Sequence, residues 1–131
     1  MLLPLIASGA IALGAAPAKP PGHFLLSCAG DNYSHHSGKD DFERRPWSMT
    51  YDVDLKSGTF FATSLRKTLK IDAVRTGEID LLDRGSDVAL NTLIYYEDAG
   101  VLVGRTLVGS PQTGYFTVET QAHCTISPAP G

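Results

Sequence analysis

His35, His36, Asp40 and Asp41 stand close together in "DNYSHHSGKDDFERRP", residues 31–46, and imidazole and carboxylate are ligands for zinc or copper. The spacing serves that chemistry poorly. Neighbouring side chains on an extended chain diverge, and a chelating pair is better made by residues two apart on a strand or four apart on a helix. His36 and Asp40 meet the helical condition, but Gly38 between them makes an ordered helical turn costly. His23 and His123 cannot easily be recruited. If Cys28 and Cys124 pair laterally, those two histidines are separated by more than about 13 Å at the rise of an extended chain. The same stretch mixes Asp31, Asp40, Asp41 and Glu43 with Lys39, Arg44 and Arg45 and joins two apolar runs. We read it as a long hydrated connection, with a metal-binding loop at His35, His36, Asp40 and Asp41 as the alternative, and assign no cofactor. Long loops in compact domains often carry function, so a binding role stays open. Asn32-Tyr33-Ser34 is also a glycosylation sequon.

Other candidate chemistry is sparse. The chain has no G-x-S-x-G, phosphate-binding glycine loop, H-E-x-x-H or C-x-x-C, and no enzymatic activity is expected. Asp52 and Asp54 share a strand face, as a glycosidase pair about 5 to 9.5 Å apart requires. Ser48 and Thr50 lie on that same face, which marks it as the wet one. In "VLVGRTLVG", residues 101–109, both parities are apolar, as in a strand lining a barrel. Arg105 among Val101, Val103 and Leu107 would then be an interior anion anchor. The preferred alternative turns Leu102, Thr106 and Val108 to the core and Arg105 to water. A formal charge of -3 with scattered basic residues excludes a general nucleic-acid binder.

The two cysteines define a bracket. Cys28 shares its parity with Phe24 and Leu26, and Cys124 shares its own with Ala122 and Ile126, so both thiols point into apolar faces of the first and last predicted strands. An even number of cysteines in an oxidising compartment predicts a Cys28 to Cys124 disulfide.

Export is expected from the start of the chain. Residues 1–18, "MLLPLIASGAIALGAAPA", are free of charge, mostly apolar, and interrupted by Pro4, Gly9 and Gly14. They read as a signal peptide removed near Ala18, and no membrane span is expected in the mature chain. The first stretch has no Lys or Arg, a departure from the usual pattern. "LLSC" at 25–28 resembles the lipobox of bacterial lipoproteins, a resemblance four residues long. It implies the alternative of a lipid anchor at Cys28, but Lys19 to His23 separate it from the apolar run, and Cys124 would lose its partner.

Residues 19–131 remain for one β-rich domain with a frayed tail, "SPAPG". In "WSMTYDVDL" the residues Trp47, Met49, Tyr51, Val53 and Leu55 alternate with polar ones, the period of a half-buried antiparallel strand. "KSG" turns it back into Thr59–Ala62, and further strands follow over 78–83, 87–97, 101–109 and 115–126, divided by turn residues. Leu65, Leu69 and Ala73 keep a helical spacing, so 63–76 reads equally as a short helix or a ragged strand. The expected fold is all-β, with at most one short helix: an antiparallel sandwich, meander or small barrel. The expected function is a binding or structural module of the cell envelope, periplasmic or extracellular, meeting an envelope protein or a small ligand. The alternative is a carrier of an apolar small molecule.

Overall fold

The computed structural model describes residues 22–85 and 89–129, so the signal-peptide reading of 1–18 falls outside the described residues. Every element within them is a strand: β1 (His23–His36), β2 (Glu43–Asp54), β3 (Thr59–Ala62), β4 (Lys67–Lys70), β5 (Ala73–Arg75), β6 (Glu78–Gly85), β7 (Ala89–Tyr96), β8 (Val101–Ser110) and β9 (Gly114–Pro128). They form one curled antiparallel sheet in the order β4-β3-β2-β1-β9-β8-β7-β6-β5. Apart from the β1–β9 contact, each strand pairs with its neighbour in sequence. The architecture is therefore a meander, not a two-sheet sandwich.

The two edge strands of this sheet are consecutive in the chain. Eight antiparallel steps separate β4 from β5 across the sheet, so the two run in the same direction, and only Ile71 and Asp72 lie between them. One bent stretch of chain thus pairs with β3 through its first half and with β6 through its second. Ile71 is buried and donates its N–H to the Gly58 carbonyl. Asp72 donates its N–H to the Asp80 carbonyl, and its carboxylate accepts the Asp83 N–H at 2.7 Å and the Arg84 guanidinium at 3.1 Å. These contacts with Arg84 and Asp83 hold the Asp72 carboxyl below the usual carboxylate range. The region 63–76 is therefore turn and strand, not helix. Leu65 sits exposed in the turn, while Leu69 packs on the core. Their i, i+4 spacing was a coincidence of a turn followed by a strand.

The inner face of the curl is the core. Phe24, Leu26 and Cys28 of β1 meet Tyr51 and Val53 of β2, Phe60 of β3, Ile79 and Leu81 of β6, Tyr95 of β7, Leu102 of β8 and Ala122 of β9. Trp47, Met49 and Leu55 pack against it, completing the alternation read in β2. Burial drives this assembly, at about 25 cal/mol for each Å² of apolar surface removed from water. Cys28 and Cys124 are directly opposite partners, 4.0 Å apart at Cα, and form a disulfide. With its sulfur bonded to Cys124, Cys28 is not free to carry a lipid. Cutting the chain there would also remove Phe24 and Leu26 from the core.

Several strands outrun this core. Asp31–His36 continue β1 and Glu43–Pro46 begin β2, so only 37–42 of the opening stretch is a connection. The long hydrated loop is instead a hairpin. Its polar residues conceal it from any hydrophobic alternation, and its ladder is held by backbone hydrogen bonds and cross-strand pairs. β3 pairs with β2 only from Tyr51 onward, leaving the start of β2 as an edge, where Pro46 is tolerated. Val108, Phe116 and Ile126 lie more than a third exposed, against the expectation that Val108 turns to the core and that Ile126 shares an apolar face with Ala122. Ser127 and Pro128 of the tail expected to fray belong to β9 and pair with Leu25 and Phe24.

Candidate binding site

Register places the site. With Cys28 opposite Cys124, outward-facing Tyr33 stands opposite Glu119, His35 opposite Thr117 and Asp31 opposite Gln121. The turn 37–42 then folds Phe42 back over the outer face, where its ring meets Tyr33 edge-on with centroids 5.9 Å apart. Gly38 supports this turn with a left-handed φ of 87°, a conformation that side chains with a Cβ resist. Ser37 anchors the turn to β9, donating its N–H to the Tyr115 carbonyl and accepting the Tyr115 N–H on Oγ, both at 2.7 Å. His35 donates from Nε2 to the Lys39 carbonyl at 2.7 Å. The result is an open depression of about 430 Å³ lined by the paired rings of Tyr33 and Phe42 and by His35, Thr117, Glu119 and Gln121.

Charge on this face is compensated locally. Glu119 faces Arg105 at 3.4 Å and Asp31 faces Arg44 at 3.5 Å. Arg105 is therefore outward and paired, with Leu102 and Gly104 turned inward, and it cannot anchor an anion in the interior. A second depression, of about 560 Å³, lies farther along the same outer face over the disulfide. Small and hydroxyl side chains line it, among them Ser27, Ala29, Ser48, Thr50, His123 and Thr125. Convergent polar groups beside aromatic surface are the kind of lining that can hold a small polar ligand.

The candidates read from sequence are scattered by this arrangement. His35 joins the aromatic depression, whereas His36 emerges on the opposite face, donates to the Ser37 carbonyl at 3.0 Å and lies beside Phe116. Asp40 and Asp41 are exposed in the turn. Among the described residues no group of three or more His, Cys, Asp or Glu is placed to hold a metal ion. Asp52 pairs with His23 at 2.5 Å. Asp54 accepts the N–H groups of Lys56 and Ser57, which, led by Ser57, hold its carboxyl below the usual range and give it a turn-forming role. Asn32 of the sequon is half-buried within β1, its amide oxygen accepting from Thr120 Oγ1 at 2.6 Å.

One buried acid lies outside this site. Asp80, 2% exposed, accepts from Arg75 at 3.0 Å through Oδ2, while its Oδ1 has no partner. The neighbouring Glu78 is held above the ordinary range by its hydrogen bond to Asp80, by burial and by the Asp80 charge. This cluster ties β5 to β6 at the seam. Tyr33, Phe42, Glu119, Gln121 and Thr117 were not singled out in the sequence, although two aromatics in an otherwise polar stretch were a usable signal. Comparison of the chain with protein-family models, curated proteins and solved structures finds no match.

Proposed function

We propose that the protein is an exported binding module of the cell envelope that holds a small polar ligand on the outer face of its β1–β9 pair. The observation that carries this reading is the open depression lined by Tyr33, Phe42 and the polar side chains of β1 and β9, with Phe42 held there by a turn that Ser37 pins to β9. Export is supported by the charge-free apolar run of residues 1–18 and by a disulfide that suits an oxidising compartment. No helix among the described residues is long and apolar enough to cross a membrane. The carrier alternative is weakened because its anchor, Arg105, faces outward and the inner face is filled by side chains such as Phe24, Phe60 and Leu102.

A protein-observed screen with a library of small aromatic and heterocyclic fragments tests the proposal. Hits should shift the amides of Tyr33, His35, Glu119 and Gln121, and a folded Tyr33→Ala/Phe42→Ala variant should lose them. Hits that cluster at the inner face, or a screen without hits, would overturn it.

A further inference from the structure

The two depressions of the outer face are parts of one surface. Thr117, Glu119 and Gln121 of β9 line the first, and His123 and Thr125, the next two outward positions, line the second. On β1, Tyr33 and His35 belong to the first and Ser27 and Ala29 to the second, with the Asp31–Arg44 pair between them. From Thr117 to Thr125 is eight residues along β9, about 27 Å at the rise of a strand. Two depressions spread over that length of one face fit an extended chain better than a compact molecule.

Their chemistry narrows the chain. β1 and β9 are hydrogen-bonded on both sides, so their backbones offer nothing to an added peptide strand and only side chains can read the ligand. Asp31 and Glu119 are each matched by an arginine, so neither a polyanion nor a polycation finds a field to bind. The groups that remain are hydroxyls, an amide, a compensated carboxylate and imidazoles, which accept and donate to neutral hydroxyl groups. At one end Tyr33 and Phe42 present ring surfaces, whose negative faces suit weakly positive C–H groups. We propose that this face binds an uncharged oligosaccharide laid along β1 and β9, with one sugar ring resting on the ring surface that Tyr33 and Phe42 present together. The inference rests on the binding-module reading and names its ligand class.

Calorimetric titration of the oxidised full chain with cellohexaose, maltohexaose and chitohexaose tests it, with oligogalacturonate and oligoglucosamine as charged controls. At least one neutral chain should bind. Its affinity should fall about tenfold with Tyr33→Ala, and by a similar factor when the chain is shortened to its disaccharide. Ala29→Arg, exposed and about 13 Å along β1 from Tyr33, should obstruct the second depression and weaken the long chain while sparing the disaccharide. The inference is overturned if no neutral chain binds, if the charged chains bind as tightly, or if Ala29→Arg leaves the long chain unaffected. Fragments that still shift Tyr33 and Glu119 while all three neutral chains are silent would remove the oligosaccharide and keep the binding module. Silence of both would remove both.

Discussion

Breaking the Cys28–Cys124 bond should cost the protein a large share of its stability. The bond spans 96 residues of sequence, and closing a loop near that length is worth about 4.7 kcal/mol in the chain-entropy model, with measured values often smaller. The topology gives the bond a second role. Two meanders, β1–β4 and β5–β9, meet at one side through Ile71 and Asp72 and at the other through the β1–β9 ladder, where the disulfide is the covalent tie. Without it, opening the ladder leaves the halves joined by two residues. Total stability for a domain of this size is roughly 5 to 15 kcal/mol, so a loss of several kcal/mol should lower the melting temperature by about 10 °C or more. Thermal melts followed by circular dichroism, with and without reductant and with a Cys28→Ala/Cys124→Ala variant, measure this. Thiol titration of the denatured oxidised protein should find no free cysteine. Two reactive thiols in protein isolated from its host, or melting curves that coincide after complete reduction, would refute the reasoning.

Gly30→Ala should destabilise the fold by about 3 kcal/mol or more in chemical denaturation, because its Cβ would collide with the Gln121 carbonyl and lie 2.6 Å from Ala122 Cα, backbone that has no room to move. Burial raises the Tyr51 phenol from 10.0 to about 12, so the unfolded chain ionises first. Stability is then complete below the unfolded value and falls as pH rises from about 10 toward 12, by up to about 3 kcal/mol, and Tyr51→Phe should flatten that slope in urea melts taken at increasing pH. His35→Ala should cost about 1 kcal/mol through the lost bond to the Lys39 carbonyl, and His36→Ala less than about 0.5 kcal/mol. Zinc titration of the two variants checks the metal alternative, and stoichiometric binding abolished by the double substitution would restore it.

The buried half of the sheet was legible because its strands alternate. Tyr51 and Val53 on β2, and Phe24 and Leu26 beside Cys28 on β1, announce their inner face by parity, and burial enforces it. Where strands leave the core, both faces meet water and alternation loses its meaning. The hairpin over 31–46 then looked like loop, and Ile126 and Val108 looked like core. The bent β4–β5 stretch was ambiguous for another reason: each half is short and pairs with a different neighbour, so no period runs long enough to declare itself. The depression needed register more than pattern. A lateral cysteine pair supplies that register, since Tyr33 lies five residues after Cys28 and Glu119 five before Cys124. What remained hidden was the turn, whose fold brings Phe42 back onto Tyr33.

Methyl-resolved NMR during titration with fragment hits and with cellohexaose asks which face of the sheet holds the ligand. Ala29 and Ala122 provide the contrast, being one residue out of register on paired strands, with Ala29 exposed on the outer face and Ala122 buried on the inner one. The account predicts that the methyls of Ala29, Thr117 and Thr125 shift with ligand while those of Ala122, Leu26 and Leu102 stay in place. Movement of the inner methyls with the outer set unchanged would place the ligand inside the curl and contradict an outer-face binding module.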